Sequence, residues 1–140
     1  MLVRDIMTRD VFTLQDSDRL DLANNLMNME MVRHIPVVDH NQNLVGLVTH
    51  RDLLKASVSV FSDLDADERE EFYHHIPIQS IMIKNVLTTT AETTIAEAAQ
   101  IMDENKIGCL PVMRGQKLVG IITEADFLHL IAEQKPELCF

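Results

Sequence analysis

Apolar residues fall along this chain in two alternating patterns, and the whole alternation then occurs a second time. Leu20, Ala23, Leu26, Met27 and Met31 recur at the spacing of one helix face, as do Ile95, Ala98, Ile101 and Met102. Ahead of each helix lies a short run that predicts a strand, Val11 to Leu14 and Val86 to Thr89. Helix starts are expected at Asp16, Ser17 or Asp18, and at Thr93 or Thr94. Two compact apolar runs follow, "HIPVVD" and "NLVGLVT" in the first half, "CLPVM" and "KLVGIIT" in the second, with the polar turns "HNQN" and "RGQ" between them. A second, shorter helix follows Thr49 or Thr123. The predicted unit is strand, helix, strand, strand, helix.

The two halves are copies. Aligning Asp5–Leu54 with Ser80–Leu128, with one residue dropped at the turn near Asn41, matches Ile6 and Met7 with Ile81 and Met82, and Pro36 and Val37 with Pro111 and Val112. Leu44, Val45, Gly46, Thr49, Asp52 and Leu54 fall on Leu118, Val119, Gly120, Thr123, Asp126 and Leu128. A duplication this long governs the fold. The expected organisation is a first repeat over 1–56, an acidic linker with a short helix over 57–77, a second repeat over 78–132 and a tail over 133–140. A unit of this size does not close a core alone, so the two are expected to pack sheet to sheet with pseudo-twofold symmetry, which makes the cleft between them the natural ligand site.

Bulk properties narrow the function classes. A chain of 140 residues buries roughly two-thirds of the surface its unfolded form exposes, and needs no disulfide or metal staple. Its two cysteines lack the number and spacing of a zinc site or disulfide framework, so a reducing, cytoplasmic setting is expected. No stretch approaches the roughly 18 apolar residues of a membrane span, and the first residues, "MLVRDIMTRD", carry charges where a signal peptide needs an apolar core. A net charge of −10 argues against nucleic acid as a partner. In the acidic linker, Ser62 or Asp63 is expected to cap a short helix running through Glu71. His74 and His75 stand beside those acids, but adjacent side chains do not converge on one metal ion.

The repeated Thr-x-x-Asp, Thr49 with Asp52 and Thr123 with Asp126, admits two readings. Threonine followed three residues later by an acid before an apolar helix resembles a capping box. A hydroxyl and free amides at a helix start also suit phosphate, and a carboxylate three residues on can accept two hydrogen bonds from a ribose diol. Gly46 and Gly120, inside strands, mark a bulge or the close approach of another backbone or a ligand. Both readings stay open on these residues alone.

The duplicated "DIMT", "HIPVVD" and "LVGLVTHRDLL", then "SIMI", "CLPVM" and "LVGIITEADFL", resemble a tandem pair of cystathionine-β-synthase (CBS) domains, over residues 3–56 and 78–130. The resemblance implies a regulatory module that binds an adenine nucleotide (AMP, ADP or ATP) between the repeats, forms a disc-shaped homodimer and signals to an effector protein. It implies ribose contact by Asp52 and Asp126 and phosphate contact by Thr49 and Thr123. Because such pockets are composite, Asp126 and Thr123 are expected to work with Val11, Thr13, His34, Ile35 and Pro36. Asp52 and Thr49 are expected to work with Val86, Thr88, Cys109, Leu110 and Pro111. A ligand-free dimerisation scaffold, or another adenosyl ligand such as S-adenosylmethionine or NAD, is the alternative.

Basic residues distinguish the copies. Arg33, His34, His50 and Arg51 stand where the second repeat has Gly108, Cys109, Glu124 and Ala125. The two sites are therefore expected to differ in their affinity for phosphates. No nucleophile elbow, P-loop, dinucleotide fingerprint or HExxH occurs, so the expectation is a non-enzyme that requires no cofactor.

Overall fold

A computed structural model describes residues 1–58 and 65–133. Among them it places six α-helices and two sheets in a mixed α/β arrangement: α1 (Val3–Ile6), β1 (Leu14–Gln15), α2 (Leu20–Glu30), β2 (His34–Val38), β3 (Leu44–Thr49), α3 (His50–Val58), α4 (Ala66–His74), α5 (Ile95–Asn105), β4 (Cys109–Arg114), β5 (Lys117–Thr123) and α6 (Glu124–Glu133). No helix among the described residues is long and apolar enough to cross a membrane.

The chain divides into two compact units whose boundaries are not those of the sequence repeats. One comprises Phe12–Val86, the other Met1–Val11 with Leu87–Phe140. Each repeat's leading segment therefore lies with the body of the other repeat.

In the Phe12–Val86 unit, β1 runs parallel to β2 and β2 antiparallel to β3, in the order β1-β2-β3. Register decides which side chains enter the core. Ile35 stands opposite Val48 and both belong to the cluster that holds Leu20, Ala23 and Met27 of α2. The next pair, Pro36 and Leu47, lies on the other face of the sheet, as the two-residue period requires. Into this core comes Ile78, fully buried, from a 3-10 turn at Ile78–Ser80. Its amide donates to the Asp18 carbonyl at 2.9 Å, and the Leu20 amide donates to the Ile76 carbonyl at 2.8 Å. That second bond accompanies a departure from the sequence expectation. The residue before α2 is Arg19, with no side-chain cap, one to three residues past the expected start at Asp16, Ser17 or Asp18, and the first helical amide is satisfied by an arriving carbonyl.

The other unit repeats this plan with the partners exchanged. Val3, fully buried, joins Ala98 and Met102 of α5 and Leu110, Val112 and Ile122 of the β4–β5 hairpin. Its amide donates to the Thr93 carbonyl at 2.8 Å, and the Ile95 amide to the Met1 carbonyl at 3.1 Å. Thr94 caps α5 through a bond from the Glu97 amide, as expected.

Both in-strand glycines are explained inside these units. A side chain on Gly46 would meet Met82 Sδ at 2.6 Å and the Ile83 carbonyl at 3.0 Å; one on Gly120 would meet Met7 Sδ at 2.8 Å and the Thr8 carbonyl at 2.9 Å. The same strands take reciprocal backbone bonds from those segments, Leu47 with Ile83 and Ile121 with Thr8. The close approach is another backbone and its methionine.

Several predicted details shift. The expected strand over Val11–Leu14 is observed at Leu14–Gln15, and its counterpart reduces to one parallel bridge, Thr89 with Val112. The chain passes from one unit to the other at these points, so few residues remain to pair. Met31 is not a core residue: it ends α2 in the left-handed conformation (φ 56°) and is 86% exposed. The linker helix α4 is capped by Asp65, which accepts from the Glu68 amide at 2.8 Å, and runs past Glu71 to His74. Ser62 and Asp63 lie outside the described residues.

Candidate functional site

Thr49 is at once the last residue of β3 and the residue before α3, so the strand's end and the helix's start share one backbone position. The Asp52 amide donates to Thr49 Oγ1 at 3.2 Å, while the Thr49 amide and hydroxyl donate to Asp52 Oδ2 at 3.2 and 2.7 Å. This is a reciprocal capping box, with aspartate in the place usually held by the longer glutamate. Both bonds that the Asp52 carboxylate accepts go to Oδ2, so the cap does not engage Oδ1. Thr49 and Asp52 are both half-buried, which keeps them open to one side.

Two further constraints gather basic residues around this cap. Register sets His34 opposite Thr49, and the His50 amide donates to the Arg33 carbonyl at 2.8 Å. Arg33, His34, Thr49, His50, Arg51 and Asp52 thus cluster at the end of the hairpin opposite its turn. Arg33 and Arg51 are exposed, His34 and His50 half-buried.

The equivalent place in the other unit has the same backbone and different chemistry. Cys109 stands opposite Thr123, and the Glu124 amide donates to the Gly108 carbonyl at 3.1 Å. Asp126 Oδ2 accepts from the Thr123 amide at 2.8 Å and from its hydroxyl at 3.4 Å. Burial, and next the Glu124 carboxylate, push the Cys109 thiol up to about 12. It stays protonated at neutral pH, which makes it a packing residue and not a nucleophile.

The other expected ligand positions divide between the units. Thr13, His34, Ile35, Pro36 and Val86 share a unit with Thr49 and Asp52; Val11, Thr88, Cys109, Leu110 and Pro111 share one with Thr123 and Asp126. Thr13 and Thr88 are exposed, Val11 and Val86 half-buried, and Pro36 and Pro111 fully buried. Ile35 and Leu110 are fully buried members of the two cores, so their side chains are already packed. Sequence reasoning did not find the contact between His74 Nδ1 and Asp21 Oδ2 at 2.9 Å, which ties α4 to α2. No periodicity links residues so far apart. Among the described residues no group of three or more His, Cys, Asp or Glu side chains could hold a metal ion.

The family model described as "CBS domain" matches this chain over residues 3–59 and again over 78–133. A CBS domain-containing protein of Dictyostelium discoideum is 33% identical over 132 residues, 94% of this chain and 91% of that protein. Similar solved structures include ligand complexes of two proteins. CBSX2 in complex with AMP is 28% identical with a TM-score of 0.78, over 96% of this chain and 98% of that one. The CBS domain pair of protein MJ0100, in complex with 5′-methylthioadenosine and S-adenosyl-L-methionine, is 26% identical with a TM-score of 0.77, over 94% and 99%. The chain also matches homoserine O-acetyltransferases such as that of Methanococcoides burtonii, 35% identical over 130 residues, but spans only 24% of that enzyme's length.

Proposed function

The chain belongs to the CBS-domain family as a tandem pair, and from that premise we propose that it is a regulatory module rather than an enzyme, sensing an adenine nucleotide and passing the signal to a partner protein. Asp52 and Asp126 hold the ribose hydroxyls, Thr49 and Thr123 reach the phosphate by turning their hydroxyl hydrogens from Oδ2 to it while their amides keep the cap, and Val11, Thr13, Val86 and Thr88 belong to the same binding surfaces. One observation carries the reading: the caps use Oδ2 alone, so a diol can bond Oδ1 without costing the helix its start. AMP in one relative, and S-adenosylmethionine with methylthioadenosine in another, support an adenosyl ligand, and the first of them supports AMP among the candidates AMP, ADP and ATP. Exposed leucines at equivalent places, Leu54 and Leu128, support a homodimer formed through α3 and α6, and the reading places its work in the cytoplasm. The homoserine O-acetyltransferases support a regulatory role as well, since this chain corresponds to a minor part of those enzymes.

A second reading is a ligand-free dimerisation scaffold, favoured by the completeness of the Thr49 cap, which functions as a cap with no ligand at all.

Thermal unfolding separates the two. Ligand at 100 times its dissociation constant stabilises by about 2.7 kcal/mol, a rise of several degrees for a chain of this size. AMP, ADP, ATP, S-adenosylmethionine and NAD are the probes. An upward shift with at least one, lost in Asp52→Ala or Asp126→Ala proteins that remain folded, is the expected result. A flat response to every probe establishes the scaffold.

A further inference from the structure

The backbone that carries Thr-x-x-Asp is the same at both strand ends, and the difference in charge between them lies in four pairs of equivalent side chains. These pairs are Arg33 and Gly108, His34 and Cys109, His50 and Glu124, Arg51 and Ala125. The structure brings each set of four onto its cap by the same two constraints. Register sets His34 on Thr49 and Cys109 on Thr123, and the first helical amide bonds back to Arg33 or Gly108.

At the Thr49 end, two arginines and two histidines thus stand at backbone positions next to a cap with one carboxylate, Asp52. At the Thr123 end there are two carboxylates, Glu124 and Asp126, beside a neutral buried thiol and two residues without charge. Helix dipoles do not separate the ends, because α3 and α6 each present a positive N-terminus there. What separates them is that the first turn of α6 already contains a second carboxylate, Glu124, whereas α3 has His50 at that place. Bases close in sequence to the second cap are engaged or placed elsewhere: Lys106 ends α5 and lies 4.0 Å from Asp103, Lys117 is at the far end of β5, and His129, on α6, lies 3.0 Å from Glu133.

Resting on the adenosyl reading above, we propose that the two ends are sorted by charge. The Arg33–Arg51 end takes a phosphorylated adenosine, and the Glu124 end takes an adenosine group that carries no phosphate. Ribose recognition by the aspartate is common to both. The discriminating residues are Arg51 with Arg33 on one side and Glu124 on the other. A phosphate placed near 4 Å from a like charge at a protein surface loses on the order of tenfold or more in affinity, and one placed near a guanidinium gains a similar factor.

Calorimetric titration of the full chain with AMP and with adenosine tests this, using wild type, Arg51→Gln, Arg33→Gln and Glu124→Gln. All three substituted positions are exposed, and circular dichroism establishes that each variant keeps its helices. Wild type is expected to bind AMP at one strong site per chain and adenosine at a second site that AMP does not displace. Either arginine substitution weakens AMP about tenfold and leaves adenosine at the second site unchanged, while Glu124→Gln strengthens AMP there by a similar factor. Two equal AMP sites, indifferent to all three substitutions, overturn the sorting and leave the adenosyl reading intact. Absence of binding by both probes overturns the two together.

Discussion

The two units solve one packing problem with one plan and fill it differently at three places. Where β1 meets β2, Leu14 completes the first core; its counterpart Thr89 is 6% exposed, with its hydroxyl buried and unpaired among the described residues. At the strand end, Thr49 makes a fully reciprocal cap and Thr123 makes its bonds to Asp126 Oδ2. Around those caps, the first unit has arginine and histidine where the second has glutamate and cysteine. Backbone duplication preserved the buried apolar pairs Ile35–Val48 and Leu110–Ile122, which the core requires, and released the cap surroundings, which it does not. Two of these three differences lie at the caps, which the core does not constrain.

Removing Ile78 or Val3 tests the exchange of segments and should have the largest effect. Ile78→Ala should cost about 2–5 kcal/mol and Val3→Ala somewhat less, by denaturant titration. The informative reading is by hydrogen exchange. Loss at Val3 should first expose amides of α5 and β4–β5, not those of its own repeat, and loss at Ile78 those of α2 and β2–β3. Protection lost first within the mutated residue's own repeat would contradict the observed units.

Next in size are the caps. Thr49→Ala and Thr123→Ala are expected to cost about 0.5–2 kcal/mol each, with Thr49 the costlier because its hydroxyl also accepts from the Asp52 amide. Equal losses in thermal melts would show that the asymmetry of the caps has no energetic weight. The smallest change is a gain. Thr89→Val keeps the shape and removes the buried unpaired hydroxyl, so it should be neutral or stabilising by about 1 kcal/mol, measured by the urea midpoint. A clear loss would mean that the hydroxyl has a partner.

Much of the fold was legible because buried helix faces and proline-bearing strands leave periodic traces. Ala23, Met27, Ala98 and Met102 all lie in the cores that their spacing indicated. Met31 broke the period because a left-handed residue ends the helix before the pattern does. The exchange of leading segments left no such trace, since hydrogen bonds between Thr8 and Ile121 have no period along the chain. One clue was present: Ile-Met and Gly recur together in both copies, and the structure sets each methionine on the other copy's glycine. The candidate sites were half legible. Thr49, Asp52, Thr123 and Asp126 stood out by repetition, but capping and ribose binding ask for the same two residues. Only the geometry shows that the cap takes Oδ2 and leaves Oδ1.

The exchanged segments also bear on what counts as a part of this protein. Cut at the linker, either half would hold a glycine-notched strand with no methionine to seat and an Ile-Met segment with no strand to join. Two identical halves would repair each other by trading those ends, as a swapped dimer does. The chain is, in topology, such a dimer already tied into one molecule, and the tie is what allowed its two sides to become different.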